Sequence, residues 1–311
     1  MSEGASGSDP DADRAQWIKS RIDTTRPNPA RLYDVFLGGK DNYPVDRAAA
    51  KAAMAASPRL YLNIWHNRDF VRRAVSHLTE TAGIRQFLDI GTGLPTAENV
   101  HQIAQRIAPD SRIVYADNDP IVLTHARALL TSGPGGVTDY LDADLRDPDA
   151  ILEGAARTLD LDRPVALVLA AILHFVEDAK AYDVVARLVS ALSPGSYLVM
   201  SHLTPDTDPE GSRKVAKTYA DKGLTFLLRP KADVLKFFTD SGLELIEPGI
   251  VPVHHWRPDH RPWALGAPWP RDTDLLDHLD EIDKIKYHDI NDVTDADISV
   301  YGAVARKTAE D

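Results

Sequence analysis

Three carboxylates mark where chemistry can sit in this sequence, each at or near the end of an apolar run. Asp89 lies in Phe87-Leu88-Asp89-Ile90, Asp117 ends Arg112-Ile113-Val114-Tyr115-Ala116-Asp117, and Asp144 follows Asp139-Tyr140-Leu141-Asp142-Ala143. Acids at successive strand ends form a row of acceptors suited to hydroxyl and amino groups. Gly91 and Gly93 flank Thr92 and remove two side chains from the turn after the first acid, so a ligand can approach the backbone closely. His174, in Ile172-Leu173-His174-Phe175, is a candidate general base, and His202 sits similarly after a later apolar run. Arg68, in Asn67-Arg68-Asp69-Phe70, is a candidate partner for a ligand carboxylate. Tyr33, Asp34 and Asn42 belong to the glycine-flanked stretch 33–43. His254 and His255 are adjacent, so on a strand they point to opposite faces, and no metal site is expected.

The elements that position these residues follow from periodicity. A buried strand, a glycine turn and a helix open a nucleotide-binding α/β unit. Pro95 suits the first turn of that helix, and Ala97, Val100, Ala104 and Ile107 recur at helical spacing, which predicts a helix over 95–107. Asp119 and Pro120 read as N-cap and first residue of the next helix. Strands are expected near 86–90, 112–117, 137–142, 165–171, 196–202, 243–251 and 300–307. Helices are expected near 120–131, 148–159, 179–192 and 231–241. Residues 164–172 are apolar at nearly every position, as a strand buried on both faces should be. Residues 1–13 are expected to be a disordered tail. Residues 14–85 read as an N-terminal helical appendage, with Leu32, Tyr33, Phe36 and Leu37 at helical spacing, and 86–311 as the α/β domain. Within that domain, 256–298 reads as an insertion, rich in proline and tryptophan and then acidic: a surface hairpin, a partner-binding helix or a lid.

The series Asp89-x-Gly91-x-Gly93, Asp117, Asp144 resembles the class I S-adenosylmethionine-dependent methyltransferases. More narrowly, stretches 33–43, 87–95, 114–120, 143–148 and 194–202 resemble the actinobacterial family called S-adenosyl methyltransferase. The resemblance covers about residues 25–256 and 299–307. It implies a doubly wound, Rossmann-like sheet of seven strands in the order 3-2-1-4-5-7-6, with the last strand antiparallel, and S-adenosyl-L-methionine as cofactor. Asp117 would then take the ribose hydroxyls, Asn118 would lie against the adenine, and Asp144 with Leu145 would meet the adenine amino group. Asp89, Gly91, Thr92 and Gly93 would shape the methionine end, and Arg68 would pair with the cofactor carboxylate. Tyr33, with Asp34 and Asn42, would close over cofactor or acceptor. The acceptor is expected to be a small molecule between the N-terminal helices and the strand ends, with Tyr33 and His174 lining one cavity that also contains Gly91.

Bulk properties agree with an ordinary globular enzyme. The net charge is −12, from 35 basic and 47 acidic residues, which disfavours nucleic acid as the main partner. The absence of cysteine excludes disulfides and thiolate nucleophiles. The polar, acidic N-terminus does not read as a secretory signal, and the longest apolar run, 165–173, is too short to cross a bilayer, so a cytoplasmic enzyme without a membrane partner is expected. Oligomeric state is not legible. Two other readings stand beside a methyltransferase: a module that holds S-adenosylmethionine without catalysis, and an NAD-dependent oxidoreductase. The latter is disfavoured because Thr96 stands where the dinucleotide fingerprint wants Gly or Ala.

Overall fold

A computed structural model describes residues 22–95, 98–129, 132–133, 135–259, 278–287 and 289–309. The expected tail at 1–13, the first residues of the expected helical appendage, and Trp263 and Trp269 of the expected insertion lie outside the described residues. Among the described residues, eight strands form one sheet: β1 (Gln86–Ile90), β2 (Arg112–Asp117), β3 (Val137–Asp142), β4 (Ala166–Ala170), β5 (Tyr197–Leu203), β6 (Leu243–Leu245), β7 (Val251–Pro252) and β8 (Val300–Lys307). Their order is β3-β2-β1-β4-β5-β8-β6, with β7 also on β8. β1 to β5 run parallel, and β8 is antiparallel to both neighbours, with Met200 opposite Ala303 and Leu245 opposite Ala305. The expected order is therefore the observed one, with one refinement. The single strand expected over 243–251 is broken into β6 and β7, which pair with successive parts of β8. Pro248 and Gly249 (φ 78°) lie in the break; proline lacks the N–H a ladder needs.

Side chains alternate between two apolar layers, as strand geometry requires. Leu88, Ile90, Val114, Leu167 and Leu169 face one layer. Phe87, Ile113, Tyr115, Val168 and Val199 face the other, which is built mainly from the N-terminal helices. Those helices are α1 (Pro29–Phe36), α2 (Pro44–Ala56) and α3 (Leu60–Glu80). Phe70 of α3 is fully buried, and a Cβ added to Gly302 of β8 would meet its ring at 3.0 Å. The helix thus lies on the sheet at a distance only glycine allows at that point. Truncating a ring buried in this way costs about 3–5 kcal/mol. Asp89 shares the strand parity of Phe87, so it too points toward the N-terminal helices.

The first core helix corrects the sequence reading. Helix α4 spans Val100–Ile107, not 95–107. Glu98 adopts φ 59°, outside helical geometry, and Gln102 Oε1 accepts the Asn99 N–H at 2.9 Å, which fixes the start at Val100. Pro95 therefore precedes the helix and is not its first residue. The remaining helices are α5 (Pro120–Leu129), α6 (Pro148–Ala155), α7 (Asp178–Ser190), α8 (Pro209–Ala220), α9 (Lys231–Thr239) and α10 (Glu281–Lys284). Helix α8 was not expected from periodicity, although its cap is legible. Asp208 accepts the Gly211 N–H at 2.9 Å ahead of Pro209, and Glu210–Lys214 and Lys217–Asp221 pair at i,i+4 spacing. Among the described residues, no helix is long and apolar enough to cross a membrane.

Candidate functional site

The carboxyl ends of β1, β2, β3 and β4 open into a cavity of about 430 Å³, within the size range of small-molecule sites. Asp89, Gly91, Thr92 and Gly93 line it from β1 and the following turn. Asp117 and Asn118 line it from β2, Asp144 and Leu145 from beyond β3, and Tyr33 and Arg68 from the N-terminal helices. The turn needs both glycines for different reasons. Gly91 (φ 72°) donates its N–H to Ala116 O at 2.8 Å, and a Cβ there would meet Ile172 at 2.5 Å. Gly93 (φ 66°) has no atom within 4 Å of an added Cβ, so its bare side faces open space. The turn is tied to β2 through Asp117: Oδ2 accepts the Gly93 N–H and Oδ1 the Asp119 N–H, both at 2.9 Å. Thr92 Oγ1 donates to Asp89 O at 3.1 Å.

The acids differ in charge state. Burial, aided by the neighbouring Asp117, pushes the Asp89 pKa up to about 7 against the pull of Arg68. Burial likewise pushes Asp117 up to about 6, although the Asp119 and Gly93 N–H groups hold it down. Two desolvated carboxylates face a cavity without enough positive charge to keep them fully ionised; a cation entering there would do so. Asp144 is the opposite case. The Arg146 side chain, above all, draws its pKa down to about 2. Its Oδ1 accepts from Arg146 Nε (2.8 Å) and the Arg146 N–H (2.9 Å), and its Oδ2 from Arg146 (2.6 Å) and Asn118 Nδ2 (3.0 Å). With four donors on two oxygens, Asp144 has no vacant acceptor site. The expectation that it meets an adenine amino group therefore conflicts with its own hydrogen bonds, whereas the Asn118 carbonyl oxygen lies beside it.

The stretch 33–43 divides into one cavity residue and a brace. Asp34 Oδ2 accepts the Asp41 N–H (2.9 Å) and Asn42 Nδ2 (2.8 Å), and a Cβ on Gly39 would collide with Asp34. Asp34 and Asn42 thus hold the turn after α1 and do not line the cavity. Tyr33 does line it, at the end of a hydrogen-bond chain crossing three elements. Ser201 Oγ of β5 accepts the Ala171 N–H (2.9 Å) and donates to Asn67 Oδ1 (2.5 Å); Asn67 Nδ2 donates to the Tyr33 hydroxyl (2.9 Å), which donates to Ile64 O (3.2 Å). Ala171, just beyond β4, has φ 52°, a strained conformation for a residue with a Cβ and one that clusters at functional sites. The sequence singles out neither Asn67 nor Ala171, and Ser201 enters only as part of the stretch 194–202.

His174 is not where it was expected. It lies on a 3-10 turn (Leu173–Phe175) and does not line the cavity containing Gly91. Together with Tyr33 it lines a neighbouring annex of about 50 Å³. The displacement has a local cause: the chain turns back immediately after Ala171, and Arg229 secures that turn. Arg229 donates to Leu173 O (2.9 Å) and Val176 O (3.0 Å) and pairs with Asp178 at 2.7 Å. Burial, with His202 and Arg229 nearby, holds the His174 imidazole well below its usual pKa. His202 is committed elsewhere. Its Nε2 lies 2.6 Å from Arg229, which can only donate, so Nε2 accepts and Nδ1 carries its proton toward Leu203 O at 2.7 Å.

His254 and His255 lie on a 3-10 turn (Val253–His255), not on a strand, so they do not point to opposite faces. Both Nε2 atoms reach Asp295 Oδ1, at 3.0 and 2.6 Å. The three form a group with ligand-type atoms within 4.8 Å of one another, away from the cavity.

The chain matches known proteins over nearly its whole length. The model of a family described as S-adenosyl methyltransferase matches residues 15–308. A crystal structure of a DUF574 family protein from Streptomyces avermitilis is 46% identical, covers 92% of this chain and 100% of that one, and superposes with a TM-score of 0.79. A proposed methyltransferase from Thermobifida fusca is 36% identical, with 91% and 96% covered and a TM-score of 0.75. Over 123 residues the chain is 28% identical to a carboxy-S-adenosyl-L-methionine synthase of Trichlorobacter lovleyi, a match spanning 39% of this chain and 46% of that enzyme.

Proposed function

The chain belongs to the S-adenosyl methyltransferase family, and from that premise we propose that the cavity at the strand ends binds S-adenosyl-L-methionine and that the protein transfers its methyl group to a small-molecule acceptor. The observation that carries this reading is the convergence of Asp89, Gly91, Gly93 and Asp117 on one cavity of about 430 Å³.

The residues fit the cofactor. The open side of Gly93 leaves room for a ligand against the backbone. Each Asp117 oxygen accepts one backbone N–H and so retains a lone pair for a ribose hydroxyl. Asp89, desolvated and only partly ionised near neutral pH, is matched to the positively charged methionine end. Arg68 lines the same cavity and fits the carboxylate. Asn118, beside the saturated Asp144, is the better adenine contact. Bound S-adenosylmethionine supplies a sulfonium methyl that an acceptor atom attacks in line, while the broken carbon–sulfur bond leaves its electrons on sulfur. The protein's part is to align the reactants and exclude water. Tyr33, held by Asn67 and Ile64, forms the wall on the N-terminal side.

Calorimetry with S-adenosylmethionine and with NAD tests the cofactor: saturable binding of the first and none of the second is expected, and the reverse would sink the reading. Release of S-adenosylhomocysteine in the presence of small acceptors distinguishes an enzyme from a module that only holds the cofactor.

A further inference from the structure

The annex beside the main cavity differs from it in every chemical respect. Tyr33, Asn67, Ala171 and Phe175 line both spaces. Beyond that junction the annex is walled by rings. His174 stands 4.2 Å from Phe175 and 4.9 Å from Phe226, centroid to centroid, and Tyr219 stands 4.3 Å from Phe226. Among the described residues, no Asp, Glu, Lys or Arg lines it. Most of its polar side chains are already paired. Tyr33 and Asn67 belong to the chain described above. Asn63 accepts the Ser299 N–H at 2.7 Å and donates to Asp297 O at 3.3 Å. His174 is different: it is buried, and its Nδ1 has no hydrogen-bond partner. Leaving such a group unpaired costs about 1–3 kcal/mol. Tyr219 is a second polar side chain that lines the annex, and burial pushes its hydroxyl pKa up.

Building on the cofactor reading above, we propose that this annex anchors the methyl acceptor, and that the acceptor is an uncharged, planar aromatic molecule bearing a hydroxyl group. Burying an unpaired charge among these rings would be strongly unfavourable, which excludes carboxylates and ammonium ions from the anchored end. The hydroxyl-bearing edge of a flat ring packs against Phe226, and its face against Phe175, which lines both spaces. A hydroxyl both donates and accepts, so it pairs with either tautomer of His174 and with Tyr219. Size sets the pose. An apolar cavity that takes up benzene measures about 150 Å³, three times the 50 Å³ of the annex. The annex therefore receives only the hydroxyl-bearing edge. The rest of the molecule passes Ala171 into the main cavity, where the reacting atom meets the methyl group.

The test uses the full chain saturated with S-adenosylhomocysteine, titrated by NMR with 4-methylphenol, 4-methylbenzoate and 4-methylbenzylammonium. The phenol is expected to bind about tenfold or more tighter than either ion. Phe226→Ala should weaken it about tenfold, and His174→Gln and Tyr219→Phe about threefold each. Binding of S-adenosylhomocysteine to each variant should stay within about twofold of the parent, which also reports that the variant is folded. If Phe226→Ala loses the nucleoside, the two conservative variants decide. The proposal is overturned if either ion binds as tightly as the phenol, if the phenol does not bind the nucleoside-loaded protein, or if His174→Gln and Tyr219→Phe both leave it unchanged. Failure of the parent to bind S-adenosylhomocysteine overturns the cofactor reading first, and this proposal with it.

Discussion

The main cavity and its annex lie side by side yet are built on opposite principles. The main cavity is made by backbone and acids: two glycines at positive φ, and carboxylates at the ends of neighbouring strands. The places of those acids and glycines follow from the strand ends that carry them, while Tyr33 and Arg68 reach in from the N-terminal helices. The annex is made by rings drawn from α1, the turn after β4, α8 and the segment after it, set against Leu60 and Ile64 of α3. The first is a row of acceptors that any chain with this topology can present. The second depends on how distant elements pack. On the proposal above, this division assigns the cofactor to one space and the choice of acceptor to its neighbour.

Substitutions can break or sharpen that contrast. The largest effect is expected at Gly91. An alanine there must adopt a left-handed conformation and displace Ile172, for a combined stability loss of about 2–5 kcal/mol, read by chemical denaturation. Gly93→Ala meets no neighbour and should cost only about 1–2 kcal/mol of stability while lowering cofactor affinity. Equal stability losses at the two glycines would show that the turn is not wedged against Ile172. Next comes Asp117→Ala, which removes a charged acceptor and the tie to Gly93. It should weaken S-adenosylmethionine binding by about 1.5–3 kcal/mol, roughly tenfold to more than a hundredfold. Unchanged affinity in calorimetry would remove Asp117 from the site.

The pH dependence is smaller and has opposite signs for folding and binding. Asp89 and Asp117 have raised pKa values, about 7 and about 6, so between the unfolded carboxylate range and these values the native state holds the extra protons. Stability contributed by the two groups therefore falls as pH rises through about 4 to 7. A cationic ligand wants the ionised forms, so affinity should rise over the same interval, with protons released on binding. Calorimetry in buffers of different ionisation enthalpy measures that release, and Asp89→Asn should flatten it. The smallest effect is expected at Asp144, whose partly exposed pairing with Arg146 leaves no acceptor free: Asp144→Ala should change affinity by less than about 1 kcal/mol. A loss as large as that of Asp117→Ala would restore Asp144 to the adenine.

What could be read from the sequence follows the same line. β1, β2 and β8 fall on the expected residues because apolar runs bounded by charge or glycine define short buried strands. The acids at their ends were placed for the same reason. His174 was misplaced because its distance from the strand end depends on a reversal fixed by Arg229, 55 residues away in sequence. Tyr219 and Phe226 are not legible as site residues because aromatic residues in and after a polar helix carry no period of their own. The adjacent His254 and His255 were assigned to opposite faces from a strand rule, and a single 3-10 turn was enough to reverse it. Local pattern thus located what one element positions, and not what several elements enclose.

The position of β8 has a consequence for biosynthesis. Among the described residues β6 and β7 pair only with β8, and β8 is inserted between β5 and β6. On the ribosome, β6 emerges well before the strand it must pair with. Until β8 arrives, β5 presents an open edge and the surface that Phe70 will cover at Gly302 is missing. The nascent chain therefore exposes unpaired backbone that invites misassembly, and the site's strands can associate before the sheet that supports them is closed.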